Sequence, residues 1–307
     1  MKKRDFLTVT DLTVAELRSL LRQAMAFKRQ RHSGPRPLVN RTLALVFQKP
    51  SMRTRVAFEV AVLQLGGSVI YLGQEDIQLG RREPVKDVAR VLSRYVDGIV
   101  IRTFAHHHAE EFARYSRVPV INGLSDLVHP CQALADVLTI QEHFGRLQGM
   151  TVAYVGDGNN VLHSLVQGLS PLGANLRVAT PRRYPPNGSL WGEAVRNGAG
   201  DVEIFFDDPP SAVKGADVIY TDVWTSMGRE REQGIRRKAF RQFQVNEKLL
   251  ALAKPNCVVM HCLPAHRGEE ITEEVLEGAR SLVLQQAENR LYAHKALLLM
   301  LYGGKER

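Results

Sequence analysis

Short runs of consecutive apolar residues alternate along this chain with stretches whose apolar positions recur every three or four residues. The runs predict strands over residues 43–47, 69–72, 98–101 and 118–121, then over 151–155, 176–179, 202–205, 217–220, 257–260 and 282–284. Helical periodicity falls between them, over 56–65, 85–95, 134–144 and 161–169. A continuous apolar run, unlike an alternating one, suits a strand buried on both faces. Strand–helix alternation of this kind predicts an α/β fold: doubly wound parallel sheets covered by helices on both sides. The two halves of the chain read as two such Rossmann-like units joined by helices. The boundary is expected along a helix starting at Pro130, since proline suits the first helical position. This gives a first domain over residues 1–130 and a second over 131–288. A last helix over 289–301, with Leu291, Lys295, Leu298 and Tyr302 on one face, is expected to return to the first domain. Residues 181–188 read as a surface loop, and the polar stretch 226–241 as a mobile flap.

A length of 307 residues agrees with two cores. No apolar run reaches the roughly 18 residues that cross a bilayer, so no membrane is expected. The basic start, Met1-Lys2-Lys3-Arg4-Asp5, leads into no apolar segment and predicts a cytoplasmic protein. Cys131, Cys257 and Cys262 are odd in number and lack metal-type pairing, so they read as reduced thiols. The formal charge of +9 fits either nucleic acid or a small anionic substrate. There is no basic–aromatic recognition motif and no long Lys/Arg block, and nucleic acid is not expected as a partner.

In parallel sheets, ligands bind beyond the carboxyl ends of the strands, and unusual polar residues cluster there. Ser51-Met52-Arg53-Thr54-Arg55 stands where the first strand hands over to a helix. Hydroxyls, two guanidiniums and free backbone N–H groups at a helix start make an anion site, with phosphate as the natural guest. An ordinary serine cap beside exposed arginines is the plainer alternative. Arg102 ends the third strand, and His129 lies beyond the fourth, with Gln132 three residues on. A helix N-terminus disfavours imidazolium, so His129 reads either as a neutral donor or as a simple cap. Asn159 and Asn160, Asp222 and His261-Cys262 follow strands of the second half. Asp222 with Ser226-Met227-Gly228 suits an amino acid, the carboxylate facing an ammonium; a plain Asx-type turn is the alternative.

Two other motifs carry less. Gly156-Asp157-Gly158-Asn159-Asn160-Val161 is like a dinucleotide fingerprint without its third glycine, and no ribose-binding acid follows the next strand. Arg182 and Arg183 there would suit a 2′-phosphate, yet no cofactor is expected. His106-His107-His108 are adjacent, so on a helix they point in different directions and make a poor chelate; no metal is expected.

Together these motifs resemble the aspartate/ornithine carbamoyltransferase family, over nearly the whole chain. Ser51-Met-Arg-Thr-Arg55 is similar to its carbamoyl phosphate loop and His129-Pro130-Cys131-Gln132 to its second hallmark. Asp222 with Ser226-Met227-Gly228, and His261-Cys262-Leu263-Pro264, resemble signatures of the ornithine branch; Glu288-Asn289-Arg290 also fits. Met52 departs from the pattern, since many members have Thr there. The resemblance implies a first domain (with the 289–307 helix) for carbamoyl phosphate and a second for ornithine. It implies a reaction giving citrulline and phosphate, in arginine biosynthesis or catabolism, by a homotrimer or a multiple of trimers. Carbamoyl phosphate would be held by Ser51, Met52, Arg53, Thr54, Arg102, His129, Pro130, Cys131, Gln132, Cys262, Leu263 and Arg290, with Gln78 reaching in from a neighbouring subunit. Aspartate-specific members have a lysine at the position of Gln78. Asn160, Asp222, Ser226 and Met227 would hold ornithine, and Arg102, His129 and Cys262 would be catalytic. Transfer to N-acetylornithine, N-succinylornithine or putrescine, a non-catalytic paralogue, and a nicotinamide oxidoreductase stand as rivals.

Overall fold

The computed structural model describes residues 3–30, 34–80, 82–226 and 228–303. Its contacts divide into two compact units. One takes the chain up to Leu138 and again from Asn289; the other is Thr139–Glu288. The division falls midway along the helix Pro130–Phe144.

The first unit is built on four parallel strands, β1 (Thr42–Phe47), β2 (Ser68–Leu72), β3 (Gly98–Arg102) and β4 (Val120–Leu124), in the order β2-β1-β3-β4. The second has five, β5 (Thr151–Val155), β6 (Asn175–Thr180), β7 (Val202–Phe206), β8 (Val218–Thr221) and β9 (Val258–His261), in the order β7-β6-β5-β8-β9. All their pairings are parallel. The inner strands β1, β3, β5 and β8 are buried almost throughout, which is why they read as unbroken apolar runs. Edge strands β2 and β7 carry exposed positions, Ser68 and Glu203 among them. Two other edges are covered by chain. Phe6 bonds to Val120 and Asn122 beside β4, and Val259 of β9 exchanges bonds with Arg280 and Leu282.

That cover explains one wrong expectation. Residues 282–284 are not a strand: pairing with β9 stops at a single bridge, Val259 to Ser281, and the helix Val283–Tyr302 begins at once. The strand expected at 118–121 starts later, because Ser116 closes a turn on Val118. The helix expected from residue 56 starts earlier, at Met52, so the 51–55 motif is itself the helix's first turn. Gly98 must be glycine: a Cβ would lie 1.8 Å from the hydroxyl of Tyr302, which donates to the Asp97 carbonyl.

Strand order determines where chemistry can gather. In the first unit the chain winds in opposite senses from β1 and β3, and in the second from β5 and β8. A crevice opens beyond the carboxyl ends of such a pair.

Candidate active site

In the first unit, Ser51 caps the helix Met52–Gln64, its Oγ accepting from the Thr54 N–H at 3.3 Å. The same hydroxyl donates to Thr54 Oγ1 at 3.1 Å, and Arg290 Nη2 donates to that oxygen at 2.6 Å. Buried Thr54 therefore receives two donors and has its own proton left to give. Across the crevice, Arg102 ends β3, 5% exposed, where the β3–β4 register shifts. Gln48 locks the two strand ends together. Its N–H donates to the Arg102 carbonyl at 2.8 Å, and its side chain binds the Leu79 carbonyl and the Phe104 N–H.

His129 precedes the helix Pro130–Phe144 and is buried. Burial first, then the charges of Arg290, Arg102, His294 and Arg53, hold it well below its ordinary value of 6.5. It is a neutral imidazole among guanidiniums. Gln132, one turn into the helix, donates to Asp136 at 2.8 Å. The Cys131 thiol is spent on the Asn122 carbonyl at 3.3 Å, and burial pushes it up to about 12. Only its backbone remains for a ligand.

Two residues of the motif do not join this group. Arg55 pairs with Glu59 at 2.9 Å and lies 3.9 Å over the Tyr71 ring. The Met52 side chain is 70% exposed, which leaves its backbone N–H as its contribution. Gln78 is exposed and left-handed, φ +38°, at the end of the short helix Gln74–Ile77.

In the second unit, Asn159 follows β5 and Asp222 follows β8. The Asn159 amide donates to Asp222 Oδ2 at 2.7 Å, and the Cys262 thiol donates to Asp222 Oδ1 at 2.9 Å. The other end of Asn159 caps the helix Asn160–Leu169, accepting from Val161 and Leu162. Asn160 is thus the first helical residue, half-buried; Ser226 is half-buried on the loop after β8. Met227 lies outside the described residues.

Asp222, His261 and Cys262 bring three potential metal donors within 4.8 Å of one another. His261, however, has both ring nitrogens engaged. Nδ1 accepts from the Leu263 N–H at 2.8 Å, so Nε2 carries the proton and donates to Glu270 at 3.0 Å. No lone pair remains for an ion. The His261 backbone N–H is held by Gln286 at 2.9 Å, and Leu263 sits at φ +56°, rare for a branched residue. Of the histidine run, His106 bonds Ser125 and His107 is exposed.

Sequence reasoning missed Arg236. It is fully buried and donates to Asp157 at 2.9 Å, to the Trp224 carbonyl at 2.9 Å and to Glu232 at 2.9 Å. It anchors the helix Gln233–Phe240 to the ends of β5 and β8, so the expected flap contains a fixed helix. Burial raises Asp157 to about 6, with the charge and hydrogen bond of Arg236 opposing the rise. Gly158 also proves informative. A Cβ there would lie 2.3 Å from the Pro185–Pro186 backbone, so protein fills the space that a dinucleotide's pyrophosphate would need.

Residues 4–142 match the family model described as aspartate/ornithine carbamoyltransferase, carbamoyl-P binding domain, and residues 148–301 match its Asp/Orn binding domain. The ornithine carbamoyltransferase of Thermococcus kodakarensis is 53% identical over 98% of this chain and 97% of its own. The anabolic ornithine carbamoyltransferase of Pyrococcus furiosus is 52% identical over 98% and 97%. The solved ornithine carbamoyltransferase structure from Pyrococcus furiosus superposes with a TM-score of 0.95, covering 99% of this chain and 98% of that one. A pair of parallel-sheet units with polar groups at both switch points is, on these matches, an α/β enzyme of the transferase class. The chain belongs to the aspartate/ornithine carbamoyltransferase family.

Proposed function

We infer that the protein is an ornithine carbamoyltransferase: it moves the carbamoyl group of carbamoyl phosphate to the δ-amine of L-ornithine, giving L-citrulline and phosphate. The observation that carries this reading is the pairing of two chemistries on one chain. One unit holds a neutral histidine among arginines at a helix N-terminus; the other holds a carboxylate fixed by an amide and a thiol.

Ser51, the Met52 N–H, Arg53 and Thr54 hold the phosphate, assisted by the positive end of the helix Met52–Gln64. Arg102, His129 and the Thr54 hydroxyl donate to the carbonyl oxygen. Arg290 orients Thr54 for this by occupying its oxygen. These bonds strengthen as the oxygen gains charge, which is what lowers the barrier. Neutral His129 can serve here because the uncharged imidazole still carries one ring N–H to donate. Gln132 and the backbone of Pro130, Cys131 and Leu263 fix the carbamoyl amide. Asp222 takes the α-ammonium of ornithine, Asn160, Ser226 and Met227 take its α-carboxylate, and Cys262 borders the δ-amine.

The amine attacks the carbonyl carbon as a neutral nucleophile. A C–N bond forms, the C–O bond to phosphate breaks, and phosphate leaves with the electron pair and accepts the amine's proton. An alkyl amine with a pKa of about 10.4 is neutral roughly once in a thousand at pH 7, a cost of about 4 to 5 kcal/mol. Arginine-rich surroundings reduce that cost, and no separate general base is needed.

The chain works as a homotrimer or a multiple of trimers in the cytoplasm. Exposed Gln78 is the group offered to a neighbouring subunit's carbamoyl phosphate. Among the described residues no helix is long and apolar enough to cross a membrane. The anabolic designation of a 52% identical relative supports the biosynthetic direction.

A colorimetric citrulline assay tests the reading. Product is expected from carbamoyl phosphate with L-ornithine, and little with N-acetylornithine, which lacks the cation for Asp222, or with putrescine, which lacks the carboxylate. Faster turnover of N-acetylornithine overturns the assignment of Asp222, and faster turnover of putrescine overturns that of Asn160, Ser226 and Met227.

A further inference from the structure

Arg182 and Arg183 are left unused by the reaction, and the structure gives them company. An open groove of about 770 Å³ lies beyond the carboxyl ends of β6 and β7. It is lined by Arg182 and Arg183 from the loop after β6, by Arg231 and Lys238 from the segment around the helix Gln233–Phe240, and by a single carboxylate, Asp207. Arg182 lies 3.8 Å from Asp207, and no ion-pair partner for Arg183, Arg231 or Lys238 occurs among the described residues. Ile235, 61% exposed, adds an apolar wall. Unpaired cations converging on one concavity raise the local concentration of multivalent anions, and a groove of this volume holds a ligand of nucleotide size.

We propose that this groove binds a polyphosphate group, either free or carried by a nucleoside. It is separate from the first unit's anion site, since every residue lining it belongs to the second unit. It is also not a dinucleotide site, because the Pro185–Pro186 backbone closes off Gly158. The ligand would rest on the helix whose buried Arg236 holds Asp157 and the Trp224 carbonyl. Occupancy thereby reaches the loop that follows Asp222.

Isothermal titration of the intact protein with tripolyphosphate, and separately with ATP, both without magnesium at physiological salt, tests the proposal. Three variants are compared: Arg183→Gln/Lys238→Gln in the groove, Arg53→Gln in the first unit, and Arg22→Gln/Arg94→Gln as an exposed pair with the same loss of charge. The groove variant should bind at least tenfold more weakly, while the other two retain the wild-type affinity. ATP binding more tightly than tripolyphosphate would assign the nucleoside to the Ile235 wall, and equal affinity would point to free polyphosphate. Equal weakening in the exposed pair means non-specific charge and overturns the site. Loss confined to Arg53→Gln puts the anion at the carbamoyl phosphate loop, which overturns the groove and leaves the proposed reaction intact. Absence of binding also overturns it.

Discussion

Asn159 and Asp222 are joined by a 2.7 Å hydrogen bond between residues that follow adjacent strands, β5 and β8. One side chain does two jobs: its oxygen caps a helix, and its nitrogen fixes the carboxylate assigned to ornithine's ammonium. The two jobs separate by mutation. Asn159→Asp keeps the capping oxygen but sets two carboxylates against each other. It should raise the KM for ornithine at least tenfold, with the cap of the helix kept. Asn159→Ala loses both, and should also cost about 1 kcal/mol for the missing cap. Steady-state kinetics with a melting curve for each variant check this, and an unchanged KM in Asn159→Asp would remove the pair from substrate binding.

Arg102→Ala should lower kcat by two or more orders of magnitude, in line with losing a donor to a developing oxyanion. Gln48 holds the Arg102 carbonyl through its own backbone N–H, so that anchor survives the substitution. A kcat within a few-fold of wild type, measured at saturating substrates, would take Arg102 out of the oxyanion role.

Cys262 gives a thiol proton to Asp222 at 2.9 Å. That makes it an orienting group for the carboxylate rather than a covalent nucleophile. Cys262→Ser keeps a donor and should hold ornithine KM within a few-fold. Cys262→Ala should weaken ornithine binding or turnover without abolishing them. Mass spectrometry of protein quenched during turnover should find no carbamoyl adduct on Cys262; finding one contradicts the mechanism.

Much of this was legible in the residue order, for a physical reason. Inner strands of parallel sheets announce themselves as unbroken apolar runs, and their carboxyl ends are where such sheets take ligands, so Arg102, His129 and Asp222 stood out as candidates from position alone. Side-chain direction was not legible. Arg53 and Arg55 look equivalent in the motif, yet Arg55 is drawn off by Glu59 and Tyr71. Asn159 and Asn160 look equivalent too, but a helix boundary one residue wide makes the first a cap and the second a helical residue. Arg236 is one of six basic residues between 229 and 241, and only tertiary packing singles it out as the buried one. The run at 282–284 misled because a single bridge to β9 and the first turn of a helix both want apolar residues.

Arg236 carries the sharpest stability expectation. Arg236→Ala would leave Asp157 buried without its partner, a loss of about 3 to 5 kcal/mol. Asp157→Asn in the same background removes the stranded carboxyl group and should restore part of it. Chemical denaturation of both single variants and the double variant measures the coupling. Additive losses would mean that the 2.9 Å contact does not bind the two residues energetically.

His129 and His294 give the chain a predictable acid sensitivity. Both are buried, and both are held well below 6.5, first by burial and then by Arg290. His294 stacks on Phe58 at 3.8 Å, and among the described residues neither of its ring nitrogens has a hydrogen-bond partner. In the unfolded chain each imidazole takes up a proton as the pH falls through about 6.5; in the folded chain neither does. The unfolded state then binds more protons, so stability falls as the pH drops, with each histidine contributing up to about 1.4 kcal/mol per pH unit in that window. His294→Phe keeps the stacking ring and removes one titration. The stability difference between variant and wild type should be flat from pH 7 to 8 and should grow in the variant's favour below about pH 6. Urea denaturation at half-unit pH steps reads this directly. A constant difference down to pH 5 would mean that His294 protonates in the folded protein, and the argument that keeps His129 neutral beside the same arginine would fail with it.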